Sequence, residues 1–170
     1  MLKKILWVWV FLLGFYGCSG ISFDFDFIPS KPEESYIQAT RKGELVWQDK
    51  TQIVVVATHL NDFDEKKYPK EEGEVFFLDV YQSNSHNKGF LENGYTLRLS
   101  NGEQPTEILP LKKKELQGLM KANAMRWGEY YFVRFMPQDK RTRDSLRLII
   151  SHPDFGENQL NFGFKALKKK

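Results

Sequence analysis

Apolar and polar residues alternate with a period of two through most of the chain from Glu44 onward. The alternation is cleanest in residues 95–102, YTLRLSNG, where Tyr, Leu and Leu would face one way and Thr, Arg and Ser the other. A period of two is that of a β-strand, because successive side chains of a strand point to opposite faces. The sequence therefore predicts a domain built from strands.

Seven or eight short strands are expected. The predicted strands cover residues 44–48, 52–60, 75–83, 95–102, 106–109, 129–136, 145–151 and 159–167. Turn formers predict hairpins within 44–60 and within 145–167, and Asn101-Gly102 predicts a third that pairs residues 95–102 with 106–109. Strand 52–60 is apolar on both faces, which predicts a central place in its sheet.

Short strands at regular spacing, with no alternation of strand and helix, predict an all-β fold. We expect an antiparallel β-sandwich of immunoglobulin-like arrangement over residues 44–170, with at most one short helix. The helical candidate is 110–124, where Pro110 suits a first helical position and apolar residues have helical spacing, so a short helix or an irregular crossover between the two sheets is predicted. A lipocalin-like β-barrel, which can hold a ligand, is the alternative.

The first twenty residues have the layout of an export signal. Lys3 and Lys4 precede the apolar run 5–13, which is shorter than the roughly 20 residues that a bilayer-spanning helix needs. Residues 15–18, Phe-Tyr-Gly-Cys, resemble the lipobox of bacterial lipoproteins, in which a small residue precedes a cysteine that is acylated and becomes the mature N-terminus. The resemblance implies a signal peptide over 1–17, lipidation at Cys18 and a tether over 18–43.

Other fates of this segment stay open. An ordinary signal peptidase could cut at the small residues Cys18, Ser19 and Gly20 and release a soluble protein, or the segment could stay as an uncleaved anchor. Lipidation best explains the single cysteine, which has no partner for an internal disulfide, and several acyl chains would hold the protein firmly. The resemblance, with the non-acidic Ser19, implies a lipid-anchored protein of the cell envelope, at the outer membrane and facing the periplasm or the surface.

Composition and motifs argue against several functions. Removal of residues 1–17 would lower the net charge from +3 to +1, whereas nucleic-acid binding favours a strongly basic face, so no nucleic-acid partner is expected. The chain lacks G-x-S-x-G, H-E-x-x-H, a phosphate-binding glycine loop and C-x-x-C. We therefore expect no enzyme, no cofactor and no metal. A zinc site would need the three histidines to converge with Asp62 or Asp64 from separate loops; the histidines are His59, His86 and His152.

Basic and aromatic residues supply the candidate binding residues. Basic clusters can contact an anionic surface, and aromatic side chains can stack on sugar rings, although solubility and core packing also explain such residues. The candidates are Lys112, Lys113, Lys114, Arg141, Arg143, Trp127 and Tyr130. We expect a non-enzymatic envelope module that binds a protein or a polymer. The alternatives are a carrier of lipid or another small hydrophobic ligand, and a metal-dependent envelope enzyme.

Overall fold

The computed structural model describes residues 29–83 and 88–163. These residues form eight strands, four short α-helices and two single 3₁₀ turns, Lys70–Glu72 and Lys113–Glu115. The strands are β1 (Thr40–Trp47), β2 (Lys50–His59), β3 (Glu74–Gln82), β4 (Thr96–Leu99), β5 (Glu107–Leu111), β6 (Glu129–Phe135), β7 (Arg147–His152) and β8 (Gly156–Asn161). The helices are α1 (Lys31–Gln38), α2 (Leu60–Phe63), α3 (Gly118–Asn123) and α4 (Lys140–Arg143).

The strands make two antiparallel sheets. The larger sheet has the order β1-β2-β3-β6-β5 and the smaller one β4-β7-β8. One core lies between them, where Phe76, Leu78 and Val133 of the larger sheet pack with Leu99 and Leu148 of the smaller. The prediction of an all-β fold with antiparallel sheets is confirmed. The lipocalin-like alternative is wrong for the described residues, because the two sheets do not join into a closed barrel.

The prediction of at most one short helix is wrong, because the outer face of the larger sheet is apolar as well and needs a cover. The second apolar cluster on that face comprises Leu60, Val75, Phe77, Leu116 and Tyr130. Its cover is supplied by α2 and by residues 112–128, which we call the cover segment. Both ends of the cover segment attach to the same sheet, through β5 and β6. The predicted crossover between sheets is therefore wrong, although the segment does contain the short helix α3.

Two of the three predicted hairpins are confirmed. The β1–β2 hairpin turns at Gln48 and Asp49, which have positive φ angles of 50° and 59°, and β7 pairs with β8. The central place of β2 is also confirmed, because it pairs with β1 on one side and β3 on the other.

The third predicted hairpin, at Asn101-Gly102, is wrong. A turn does form, because Gly102 adopts a φ of 90° and its N–H donates to Leu99 O at 2.9 Å. The chain then leaves the sheet: Thr106 N donates to Arg134 O of β6 at 2.8 Å. As a result β4 pairs with β7 and β5 with β6.

The fold begins earlier along the chain than predicted. The Glu33 carboxylate accepts a hydrogen bond from Ser30 N at 2.8 Å at the start of α1, and Tyr36 of α1 packs edge-to-face on Phe63 at 5.4 Å. Residues 31–43, predicted as part of a tether, hold α1 and the first half of β1. Cys18 and the predicted signal lie outside the described residues, in which no helix is long and apolar enough to span a bilayer.

The sandwich has two ends, which we name from the larger sheet. The proximal end is where α1 enters, and it holds His59 at the end of β2 and Glu74 at the start of β3. The distal end holds the β1–β2 turn, Gln82 at the end of β3 and Glu129 at the start of β6. Gln52 and His59 lie seven positions apart on β2, about 23 Å at ~3.3 Å per residue.

Candidate functional site

A cluster of buried charges occupies the proximal end. The His59 ring is 2% exposed and lies between two carboxylates, with Nδ1 at 2.8 Å from Asp62 Oδ2 and Nε2 at 2.9 Å from Glu74 Oε2. Glu74 is fully buried, and its other oxygen accepts a hydrogen bond from Arg143 Nε at 2.5 Å. One set of hydrogen bonds thus joins the end of β2, the start of β3 and the short helix α4.

The electrostatics of the proximal cluster are balanced. Burial by itself would lower the pKa of His59, but hydrogen bonds to Asp62 and Glu74 outweigh it and raise that pKa above its ordinary value. Burial would raise the pKa of Glu74, but the hydrogen bonds from His59 and Arg143 lower it. The pKa of Asp62 is also lowered, because the hydrogen bond to His59 outweighs burial. These directions favour a protonated His59 between two ionised carboxylates, with Arg143 as the second cation of the cluster.

The histidines do not converge within the described residues. His59 lies at the proximal end, whereas His152 lies at the distal end, where it shares a cavity with Gln52. His86 falls outside the described residues, and Asp64 accepts a hydrogen bond from Lys67 N at 3.2 Å. Residues 29–83 and 88–163 contain no group of three or more His, Cys, Asp or Glu side chains that could hold a metal ion.

The distal end carries a cavity of about 450 Å³, which we call the basic cavity. Lys112, Lys113 and Arg126 are among the residues that line it. The neighbouring Trp127 is 74% exposed, and the Arg126 guanidinium lies over its ring at 5.0 Å from the centroid. Four residues of the cover segment thus place cations and an exposed aromatic ring at one opening.

The cations of the basic cavity have no anionic partner among the described residues. The side-chain nitrogens of Lys112, Lys113 and Arg126 form no ion pair with a described carboxylate, although the backbone N of Lys112 donates to Glu115 Oε2 at 2.6 Å. The one acid that lines the cavity, Glu129, is occupied by internal donors: Gln82 Nε2 at 2.6 Å and the Tyr131 hydroxyl at 2.6 Å. The cavity therefore presents to solvent positive charge that is not held in an ion pair among the described residues.

A buried carboxylate holds the cover segment on the sheet. Asp79 is the one acid within the apolar stretch of β3 and is 2% exposed. Its Oδ2 accepts a hydrogen bond from Met125 N at 2.6 Å, whereas Oδ1 is buried without a hydrogen-bond partner. Burial raises the pKa of Asp79 to about 6, although the Met125 hydrogen bond opposes that shift.

The backbone of the cover segment approaches Asp79 very closely at Gly128. A Cβ at that position would overlap Asp79 Oδ1. With an alanine there, the Asp79 carboxylate or the cover segment would have to shift, and Gly128 follows directly after Trp127. The exposed tryptophan thus lies one residue from a close contact between the cover segment and the larger sheet.

The candidate binding residues divide between the two ends. Lys112, Lys113 and Trp127 gather around the basic cavity, and Lys114 lies on the exposed 3₁₀ turn beside them. Tyr130 also lines the cavity, but its ring is 5% exposed and stacks on Phe77. The other basic cluster lies at the proximal end, where Arg141 is exposed on α4 and Arg143 binds Glu74.

Several important residues were not anticipated from the sequence. Arg126 precedes Trp127 directly, so a basic residue beside an aromatic one was an available signal. Asp79 was also visible as a single acid in the apolar run VFFLDVY. The role of Glu74 had no sequence signal, because its partner Arg143 is 69 residues away along the chain.

Comparison of the chain with protein-family models, with curated proteins and with solved structures finds no match. The function is therefore argued from the site alone.

Proposed function

We propose that this domain is a non-enzymatic module that binds an anionic glycan of the cell envelope through the basic cavity. One observation carries the proposal: three cations without ion-pair partners in the described residues surround one opening beside a tryptophan that is 74% exposed. Lone cations attract carboxylate or phosphate groups, and an exposed ring can stack on the apolar face of a sugar.

The size and lining of the basic cavity support a polymer rather than a hydrophobic ligand. Its volume of about 450 Å³ falls within the ~300–1,000 Å³ usual for ligand sites. A lipid carrier needs an apolar cavity, whereas Lys112, Lys113 and Arg126 are all exposed at this opening. Charged groups at an open rim suit one segment of a longer, soluble chain.

The cellular setting is part of the same proposal. With acylation at Cys18, the lipid would be attached on the N-terminal side of α1, which enters the domain at the proximal end, opposite the basic cavity. We propose a lipid-anchored protein of the outer membrane, facing the periplasm or the surface, with no nucleic-acid partner. Two antiparallel sheets packed face to face also support the finer prediction of an immunoglobulin-like arrangement, which stays a prediction.

The proposal can be tested by titration calorimetry on the full-length protein in detergent. The probes are an oligogalacturonate and the same oligomer with its carboxylates methyl-esterified, which differ only in charge. The variant combines Lys112→Gln, Lys113→Gln and Arg126→Gln, and its matched control combines Lys66→Gln, Lys140→Gln and Arg141→Gln at the proximal end.

We expect the acidic oligomer to bind and the esterified one to bind at least tenfold more weakly. The distal triple variant should weaken binding of the acidic oligomer by about ten- to a hundredfold, which corresponds to ~1.4–2.8 kcal/mol, whereas the proximal triple should not change it. Binding should also weaken as salt rises, because exposed charges are screened. Equal losses in both triple variants, equal binding of both oligomers, or tighter binding of a single-stranded DNA oligonucleotide would overturn the proposal.

A further inference from the structure

A second cavity at the distal end, of about 310 Å³, differs in chemistry from the basic cavity. It is lined by amide and aromatic side chains, among them Gln52, Gln82, Tyr95, His152 and Phe155. We call it the amide cavity. No lysine or arginine lines it, and its one charged group is the carboxylate of Asp154.

Aromatic rings form a continuous row along the amide cavity. The His152 ring stacks on Phe155 at 4.1 Å with an interplanar angle of 13°, and contacts Tyr95 at 4.7 Å. Trp47, which is 48% exposed, extends the row at 6.4 Å from Phe155. Because Tyr95 is buried, the part of this row that reaches solvent comes mainly from the half-buried Phe155 and the exposed Trp47, and such rings can stack on a ligand that has both apolar and polar surfaces.

Hydrogen bonds hold the His152 ring in place. Asp154 N donates to its Nδ1 at 3.1 Å, and its Nε2 lies 3.0 Å from Asn93 O. Both ring nitrogens therefore have partners within the protein, and the ring packs between Tyr95 and Phe155.

Two polar groups at the amide cavity stay available for a ligand. The Tyr95 hydroxyl has no hydrogen-bond partner in residues 29–83 and 88–163, although the residue is 5% exposed. The Gln52 amide donates to Lys50 O at 3.1 Å, whereas its carbonyl oxygen accepts no bond from a described residue. A hydroxyl and an amide oxygen beside aromatic rings match the alternating hydroxyl groups and C–H faces of a sugar.

We propose that the amide cavity is a subsite for an uncharged sugar ring. The Asp154 carboxylate at its rim would repel an anionic residue, whereas it can accept hydrogen bonds from neutral hydroxyl groups. No lysine or arginine lines this subsite to bind a uronate or a phosphate. The charge of the lining therefore selects a neutral ring.

The two distal cavities share a wall. Gln82 lines the amide cavity and Glu129 lines the basic one, and Gln82 Nε2 donates to Glu129 Oε1 at 2.6 Å. One glycan chain can thus place an acidic residue in the basic cavity and a neutral residue in the amide cavity. This step rests on the proposed function and narrows the ligand class to glycans that contain both acidic and neutral sugars.

The test uses neutral probes, so that it is independent of the basic cavity. Cellotriose and the trimer of N-acetylglucosamine are each titrated to about 10 mM into the full-length protein, and binding is followed by side-chain and backbone NMR shifts. The variants are Tyr95→Phe, which removes only the free hydroxyl, and Gln52→Ala. Their matched controls are Tyr81→Phe, outside the cavity, and Gln38→Ala at the proximal end.

We expect at least one neutral trimer to shift the Gln52 side-chain amide and the Tyr95 and His152 signals. Tyr95→Phe and Gln52→Ala should each weaken its binding at least fivefold with an unchanged melting temperature, whereas the two controls should leave it unchanged. The Lys112, Lys113 and Arg126 triple variant should also leave it unchanged, which separates this subsite from the basic cavity. The proposal is overturned if neither trimer binds, if the shifts map to the basic cavity, or if Tyr95→Phe and Gln52→Ala bind as the native chain does.

Discussion

The two ends of the sandwich treat buried and exposed charge in opposite ways. At the proximal end the fully buried Glu74 is matched by His59 and Arg143, so every charge of the cluster has a partner. At the distal end Asp79 is nearly as buried but holds only one hydrogen bond, and the cations above it have no ion-pair partner within the described residues. Internally matched charge fixes the fold, whereas charge that the fold leaves unmatched is available to a ligand.

The comparison predicts that the proximal cluster governs stability. Glu74→Gln removes the buried carboxylate that faces both His59 and Arg143, and we expect it to lower the free energy of unfolding by about 3–5 kcal/mol. Urea denaturation measures this loss. The matched control is Glu157→Gln, which breaks the exposed ion pair with Arg98 and should cost about 1 kcal/mol or less. A Glu74→Gln loss no larger than that of the control would break the contrast between matched and unmatched charge.

Asp79 should make stability depend on pH. Its pKa is raised from 3.8 to about 6 in the folded protein, so the folded state binds the proton more tightly than the unfolded state does. The contribution of Asp79 is therefore full below about pH 3.8 and is lost as pH rises through about 6. Asp79→Asn removes this titration. Between pH 4 and pH 8 we therefore expect the free energy of unfolding of the variant to rise by up to about 3 kcal/mol relative to that of the native chain.

Taking that difference from urea denaturation at several pH values isolates Asp79, because His59, Asp62 and Glu74 titrate in both proteins. If the free energies of unfolding of the two proteins differed by the same amount at every pH, the altered hydrogen bonding of the Asn side chain alone would explain the difference. A difference that does not change with pH would therefore contradict the raised pKa.

Gly128 should link stability to binding at the distal end. Gly128→Ala introduces a methyl group that overlaps Asp79 Oδ1, so the Asp79 carboxylate or the cover segment must shift. We expect a loss of about 1–3 kcal/mol in the free energy of unfolding and a weaker affinity for the acidic oligomer. Gly102→Ala is a control for binding only: nothing lies within 4 Å of its Cβ position, but its φ of 90° strains an alanine, so it should lose stability while the affinity for the acidic oligomer stays native. Gly128→Ala with native stability and native binding would show that the cover segment is not held as described.

Trp127 should have the smallest effect on stability. Because the side chain is 74% exposed, Trp127→Ala should change the free energy of unfolding by about 0.5 kcal/mol or less while weakening the binding of the acidic oligomer about fivefold. Met136→Ala, at another exposed apolar residue, should change neither quantity. Thermal unfolding of both variants measures the change in stability, and titration calorimetry measures the change in affinity for the acidic oligomer. A large loss of stability in Trp127→Ala would assign the tryptophan to the core instead of to the site.

Local patterns predicted the elements better than they predicted their partners. The alternation in residues 145–151 placed β7, whereas the predicted strand 159–167 overlaps β8 only at residues 159–161. The turn residues still predicted correctly that the two strands pair. Asn101-Gly102 also produced a turn, yet the strands on either side of it belong to different sheets. A turn motif determines local backbone geometry, whereas the partner of a strand depends on which face of which sheet can bury it.

The candidate site shows the same division. Lys112, Lys113 and Trp127 were identified by residue type, and the structure brings them together because both ends of the cover segment attach to one sheet. Arg141 and Arg143 were identified by the same argument, but the fold places them at the proximal end, where Arg143 donates a hydrogen bond to Glu74. Sequence spacing alone could not separate a basic residue that binds a ligand from one that neutralises a buried acid.

By itself, the sequence determined that this chain folds as antiparallel strands, because a period of two is a local property that the backbone of each strand imposes. It also determined which residue types are available for chemistry, and it predicts lipidation at Cys18. Only the tertiary structure decided that Glu74 meets Arg143 across 69 positions, that Asp79 lies beneath Gly128, and that two cavities adjoin through Gln82 and Glu129. Such contacts depend on burial and charge balance over the whole domain, which no local pattern encodes.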